Sequence, residues 1–238
     1  MTKLKGQYSP PAMTDKPLTI LAIDCSTSAC SAALRKGDAL LAVRRSSGRG
    51  QAEAMVPLIG EVLAESGLDW SQVRLIGITV GPGSFTGLRI GLAAARALAL
   101  ARNIPIAGVT TADLLAAMTP PELYRDRRLL IAIDSKRDDL FVSAEGEIRA
   151  LRPEDALAWQ SGPLLVAGDA AEQFRGLRDD LEILPLLPDA VPLAELAARR
   201  YAEGASLPAQ PLYLRPPDVA LPTRCPPNSR RCRWPRPG

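Results

Sequence analysis

Two rhythms of apolar residues divide the chain into short strands and amphipathic helices. Residues 18–24 (LTILAID) form an apolar run ending in an acid, as expected of a buried first strand. Residues 31–34 and 39–45 flank Lys36-Gly37-Asp38, which predicts a hairpin. Over residues 51–66, Met55, Leu58, Ile59, Val62 and Leu63 share one helical face, and Gly67 is a natural stop. Pro57 fits only near a first turn, so the pattern predicts a regular helix that begins late. Residues 73–80 (VRLIGITV) read as a central strand. A glycine-rich loop, a helix over 88–102, a strand over 105–109 and a short helix over 111–118 behind a threonine cap follow.

The second half repeats the opening in shortened form. Residues 129–134 (LLIAID) echo 18–24, and 140–144 can pair with 147–151 across Glu145-Gly146. A short helix at 153–159, a strand at 163–167 and helices at 169–177 and 191–202 are expected next. An extended closing segment, 211–215 (PLYLR), ends at Pro216-Pro217. The expected organisation is an α/β chain with a first lobe at 18–118 and a second at 119–219. A flexible extension at 1–17 and a disordered Pro/Arg-rich tail at 220–238 complete it.

Composition changes this picture in three ways. Aromatic residues make up only 4 % of the chain and hydrophobic residues 47 %, so Leu, Ala, Val and Ile must fill the core. The net charge, 29 − 26 = +3, conceals a separation: residues 222–238 hold five arginines and no acid, leaving 24 − 26 = −2 for the rest. The body therefore offers no broad basic surface for nucleic acid, and the tail is the segment able to touch RNA through charge. Finally, the absence of histidine excludes Ser-His-Asp and Cys-His catalysis, and the four cysteines have no zinc-binding pattern. Cys25 and Cys30 are expected as buried thiols. A Cys225–Cys232 disulfide would need an oxidising compartment. Residues 1–17 lack the apolar stretch of a secretory signal, and Arg89 and Arg96 interrupt the apolar helix near 88–101. A cytoplasmic protein without a membrane span is expected.

The most specific motif is Gly81-Pro82-Gly83-Ser84-Phe85-Thr86-Gly87, running from a strand into a helix. Glycines permit close backbone approach and let Ser84 or Thr86 cap the helix. Such a helix start can hold an anion, but no Walker-type Gly-Lys-Ser/Thr follows, and Arg89 opposes the helix dipole unless it has a local partner or a phosphate. A structural or interface role is favoured over nucleotide binding. Asp24, Ser26 and Thr27 form a turn resembling the phosphate-approach turn of actin-like ATPases, and Asp134 begins its counterpart. Both turns lack glycine, so the acids either mark a vestigial nucleotide site, with Gly168 as adenine-loop candidate, or satisfy turn N–H groups. Ser84 lacks a G-x-S-x-G context, and the adjacent Asp138 and Asp139 would point to opposite sides of a strand.

With ILAIDCST, GPGSFTGLRIG, LLIAIDSKRDDLF and PLYLR in this order, the chain resembles the TsaB (YeaZ) family over about residues 18–219. The resemblance implies an ASKHA (actin/Hsp70/sugar-kinase-like) duplicated fold with ribonuclease H-like lobes, the second abbreviated. It implies a non-catalytic subunit of the complex that transfers threonylcarbamoyl to N6 of adenosine 37 in tRNAs reading ANN codons. The implied partners are the catalytic paralogue TsaD and the ATPase TsaE, with tRNA met mainly through the complex. No intrinsic cofactor is implied; ATP and Mg serve the assembly. First-lobe helices would contact the paralogue, or a second copy in a homodimer. This points to Met55, Leu58, Ile59 and Val62 and to Arg89, Leu92, Ala95 and Arg96, with Gly91 and Ala95 allowing close helix approach. Where family members carry a histidine at the start of the first helix, this chain has Gln51, which cannot titrate near neutral pH. The alternative is an ATP-binding small-molecule kinase or ATPase of the same fold. Nothing in the residues supports peptide hydrolysis.

Overall fold

The computed structural model describes residues 17–48 and 51–214. The expected tail, Arg215, Cys225 and Cys232 lie outside the described residues, as does the expected N-terminal extension up to residue 16. Two five-stranded sheets share one topology. The first contains β1 (Thr19–Asp24), β2 (Ala29–Lys36), β3 (Ala39–Ser47), β4 (Leu75–Thr79) and β5 (Ile106–Val109), ordered β3-β2-β1-β4-β5. The second contains β6 (Arg128–Asp134), β7 (Leu140–Ala144), β8 (Glu147–Leu151), β9 (Leu164–Gly168) and β10 (Leu181–Pro185), ordered β8-β7-β6-β9-β10. In each, the first three strands form an antiparallel meander, and the remaining two run parallel to the first. The LTILAID/LLIAID echo thus marks equivalent central strands.

Strand β1 is buried on both faces, which is why it reads as a continuous apolar run. Leu21 and Ile23 join the cluster beneath α1 (Gln51–Ser66) and α2 (Phe85–Arg102). Ile20 and Ala22 face the opposite way, against α5 (Ala190–Ala202). Helix α1 begins at Gln51 and carries Pro57 inside it, so the expected late start is not seen. The Pro57 ring lies on the exposed side, away from the sheet. Helix α2 begins three residues earlier than the apolar pattern suggests. Ser84 caps it by accepting from the Gly87 N–H at 3.2 Å, and Asn103 ends it in the left-handed region at φ 52°.

The halves are tied by crossed helices. Helix α3 (Thr111–Met118) follows β5, yet Ala112 and Leu115 pack with Ile131, Ile133 and Ala167 of the second sheet. Helix α5 follows β10, yet Leu193, Ala194 and Ala197 pack with Ile20, Ala22, Leu75 and Ala107 of the first. Asp189 caps α5 through the Val191 N–H, and the Ala190 N–H donates to Ser31 Oγ on β2 at 2.9 Å. Burying a leucine such as Leu193 contributes about 1.5–3 kcal/mol. Residues 119–219, expected as one lobe, therefore contain a helix that completes the core of the first sheet. The chain then runs back along that sheet. Leu207 and Gly108 exchange backbone hydrogen bonds, and the Leu212 N–H donates to Val80 O at 2.7 Å.

The second half is abbreviated where the helix at 169–177 was expected. Only a 3-10 turn, Ala171–Phe174, stands there, with Phe174 fully buried. Arg175 returns to extended geometry, and the chain enters β10, a strand the apolar pattern did not reveal. The short helix α4 (Pro153–Trp159) and the β7–β8 hairpin lie where expected. No helix among the described residues is long and apolar enough to cross a membrane.

Candidate functional site

The turn after β1 and the glycine-rich loop form one unit. Asp24 is fully buried. Its Oδ1 accepts from Thr79 Oγ1 at 2.7 Å, Ser26 Oγ at 2.7 Å and the Ser26 N–H at 3.2 Å. Oδ2 is buried with no hydrogen-bond partner. Burial pushes the Asp24 carboxyl above its ordinary pKa, the Thr79 and Ser26 hydrogen bonds work against that shift, and Asp189 nearby adds to it. Directly over this turn lies the loop. The Ser84 N–H donates to Ser26 O at 2.7 Å, and a Cβ on Gly83 would come within 2.0 Å of the same oxygen. Glycine is therefore required at position 83 by close backbone approach. The first turn spends its carboxylate on neighbouring hydroxyls, and the loop rests on the Ser26 carbonyl. Ser26 and Thr27 are buried in it, as are Gly81, Pro82 and Gly87 of the loop, while Phe85 and Thr86 are exposed.

Beside this unit, Cys25 and Cys30 face the first core as free, buried thiols, as expected. Their mutual hydrogen bond and burial push the Cys25 thiol far above its ordinary range.

At the end of β6 the second turn is closed differently. Lys136 donates its backbone N–H to Asp134 Oδ1 at 2.7 Å and its Nζ to Oδ2 at 2.6 Å. Partial burial works against the Asp134 carboxylate, but these Lys136 contacts outweigh it and hold the pKa below its ordinary value. The Asp134 N–H donates to Asp169 Oδ1 at 2.9 Å, and burial raises the pKa of Asp169. Gly168, the adenine-loop candidate, is pressed against β6: a Cβ there would lie 2.0 Å from Ala132 O. Its glycine is explained by strand packing. Both acids thus accept from turn N–H groups, Asp24 from Ser26 and Asp134 from Lys136. Among the described residues, no group of three or more Cys, Asp or Glu side chains is disposed to hold a metal ion.

The helix faces correct the expected contact surface. Met55, Leu58, Ile59, Val62, Leu92 and Ala95 are all buried, five of them in fact at 3 % exposure or less, and they cover the sheet. They are core residues. The outer faces carry Val56, 68 % exposed, with Pro57 and Gly60 on α1, and Leu100, 88 % exposed, with Ala93 and Ala97 on α2. Arg89 and Arg96 turn toward the closing segment. Arg89 Nε donates to Tyr213 Oη at 3.1 Å and its guanidinium lies 3.7 Å from the Phe85 ring centroid. Arg96 Nε donates to Ala209 O at 2.6 Å. These contacts supply the local partners that a cation so early in the helix requires. Tyr213 was not singled out in the sequence; its signal was its place in PLYLR.

Matched β-β-β-α-β units with crossed helices place the chain in the ASKHA class of duplicated α/β folds. A family model described as "TsaD: tRNA N6-adenosine threonylcarbamoyltransferase" matches residues 45–159. The Escherichia coli "tRNA threonylcarbamoyladenosine biosynthesis protein TsaB" is 29 % identical over 225 residues, covering 83 % of this chain and 95 % of that protein. The Haemophilus influenzae protein of the same name is 34 % identical over 126 residues, and this match spans about half of each, 53 %. A Pseudomonas aeruginosa crystal structure, of an uncharacterized protein with similarity to peptidase YeaZ, superposes with a TM-score of 0.66 at 31 % identity. It is covered over its whole length, and this chain over 83 %. The chain belongs to the TsaB/YeaZ family.

Proposed function

We propose that the chain is a non-catalytic supporting subunit of the assembly that transfers threonylcarbamoyl to N6 of adenosine 37 in tRNAs reading ANN codons. The observation that carries this reading is the closure of the first strand-end turn. Asp24 is committed to Ser26 and Thr79, and the Gly83–Ser84 backbone rests on Ser26. A nucleotide phosphate approaching there would have to displace the loop. The second turn is occupied in kind by Lys136. These contacts favour a subunit that acts through its partners over an ATP-binding kinase of the same fold. ATP and Mg are then used by the assembly, with TsaE as its ATPase.

The partner in this reading is a TsaD paralogue, and the likeness of residues 45–159 to the TsaD model supports two related folds meeting. The surface offered is the outer face of α1 and α2, where Pro57, Gly60, Ala93 and Ala97 are small or compact and Val56 and Leu100 project. Small residues allow helices to approach closely, and the exposed apolar pair supplies area to bury. A second copy of the chain could use the same face. In this reading the protein acts in the cytoplasm, where its tRNA is. Reconstitution with cognate TsaD, TsaE, ATP, threonylcarbamoyl-adenylate and unmodified tRNA tests the proposal. Modified adenosine should require this chain, and the chain alone should produce none and bind no ATP in calorimetry. Modification proceeding equally without it, with TsaD limiting, overturns the reading.

A further inference from the structure

The first sheet sets its two cysteines opposite each other. Strands β1 and β2 pair antiparallel up to Asp24↔Ser31, and one further step of that register brings Cys25 opposite Cys30. The alternation of side chains agrees. Leu21, Ile23 and Cys25 on one side, and Cys30, Ala32 and Leu34 on the other, all enter the same core cluster. Residues directly opposite on antiparallel strands lie about 4.5–5.5 Å apart at Cα, within the range of about 4.4–6.8 Å that a disulfide spans. The two thiols are free, each 1 % exposed, and share a hydrogen bond. Cys25 is also the seat of α2. A Cβ on Gly91 would lie 3.3 Å from Cys25 Cβ and 3.7 Å from its Sγ, so the helix meets this residue where it has no side chain of its own. The neighbours of Cys25 in the chain anchor the same region: Asp24 accepts from Thr79, and Ser26 O accepts from the Ser84 N–H.

We propose that Cys25 and Cys30 are a redox-closing pair, oxidised to a disulfide by hydrogen peroxide and reopened by a dithiol, and that the bond fixes the turn on which α2 rests. The Cys30 thiolate attacks one peroxide oxygen and the O–O bond breaks. Cys30 becomes a sulfenic acid, and the departing hydroxide takes up the proton that the thiol released. The Cys25 sulfur then attacks the Cys30 sulfur. The S–S bond forms, the S–O bond breaks, and the hydroxide leaves as water with the Cys25 proton. Two thiols are oxidised and one peroxide is reduced to two waters. Cys30 reacts first because the hydrogen bond from Cys25 holds its thiol below the ordinary pKa, against burial and the Asp24 carboxyl. The same bond and burial keep Cys25 protonated. The turn between the two cysteines is thin: Ser28 is exposed and Ala29 half-buried, so local opening there admits a small oxidant. Where thiols are kept reduced, such a bond is transient and reports oxidation. The inference stands apart from the supporting-subunit reading, and either can fail without the other.

The test treats the folded full chain with hydrogen peroxide, alkylates the remaining thiols and maps tryptic peptides by mass spectrometry. Residues 6–35 make one such peptide, since Pro17 protects the bond after Lys16, while Cys225 and Cys232 fall on others. This peptide should appear lighter by two hydrogen atoms and closed to alkylation, and dithiothreitol should restore both thiols. Closing residues 25–30 into a loop should raise the thermal unfolding midpoint by roughly 4–8 °C, measured in a chain carrying Cys225→Ser and Cys232→Ser and reversed by the reductant. In Cys25→Ser, which keeps a hydrogen-bond donor, dimedone should trap Cys30 as its sulfenic acid; in Cys30→Ser it should leave Cys25 unlabelled. Four results would overturn the proposal. The pair may close only in urea, which would make it inert core. Oxygen may add to either sulfur in the natural chain with no S–S bond formed. Closure may lower the unfolding midpoint, which would show a turn not built for the bond. Dimedone may label Cys25 in Cys30→Ser and not Cys30 in Cys25→Ser, which would reverse the roles of the two sulfurs.

Discussion

Replacing Asp24 with asparagine separates a structural acid from a ligand for a cation or phosphate-bound metal. The folded protein holds this carboxyl fully buried, with Oδ1 accepting three hydrogen bonds and Oδ2 accepting none. Burial, the largest influence, raises its pKa above the ordinary aspartate value of about 3.9. The folded state therefore retains a proton that the unfolded chain releases, so the stability this group contributes is fully present below about pH 3.9. It is lost as pH rises from there through the folded pKa. One proton gives a slope of up to about 1.4 kcal/mol per pH unit across that window. Asparagine keeps an acceptor at Oδ1 and cannot ionise, so Asp24→Asn should lack this slope. Urea denaturation followed by circular dichroism at closely spaced pH values measures it. The unfolding free energy of the natural chain minus that of the variant should be level in acid, fall through the window and level again above it. A difference that rises with pH would show an ionised carboxylate stabilised by a cation, and would refute the structural reading. Asp24→Ala should behave differently again, because Thr79 and Ser26 lose their acceptor at a cost of about 1–3 kcal/mol per stranded group.

Leu193→Ala should destabilise the protein by about 2–5 kcal/mol in denaturant titrations, because a fully buried leucine joins α5 to the first sheet. A negligible loss would mean that α5 is not part of that core. Leu100→Glu should leave folding stability within about 0.5 kcal/mol, since the side chain is 88 % exposed, yet abolish co-elution with TsaD. Met55→Ala should show the reverse order of effects, costing about 2–5 kcal/mol of stability from its position in the core. Gly168→Ala should cost more than about 1 kcal/mol, because the new methyl meets Ala132 O. Unchanged thermal unfolding would contradict the packing explanation for that glycine.

Local elements were legible where one physical signal dominated. The buried run TILAID, the Gln51–Ser66 face and the Thr110 cap all declare themselves through spacing or capping chemistry. Strand β10 did not, because LEILP follows two aspartates, ends in proline and is only half-buried. The crossing of α3 and α5 is set by long-range packing: Leu114 and Leu115 face different clusters on neighbouring positions, and no local pattern assigns each to its sheet. The same limit governs the contact surface. Helical period placed Met55, Leu58, Ile59 and Val62 on one side of α1, but period cannot tell which side meets the sheet. The larger side chains won that place and left Val56 and Pro57 outside. At the strand-end turns, the missing glycines were visible in the sequence. The closing contacts from Ser84, Lys136 and Thr79 were not, since Thr79 lies 55 residues from Asp24.

The most direct measurement counts threonylcarbamoyl-adenosine by mass spectrometry in reactions of TsaD, TsaE, ATP, threonylcarbamoyl-adenylate and tRNA. Three reactions are compared: with the natural chain, with Asp24→Asn, and with neither. The account predicts equal product in the first two and little in the third, because the subunit is needed and its buried acid is structural. Full product without the chain, or loss of product with a folded and TsaD-bound Asp24→Asn, would contradict it.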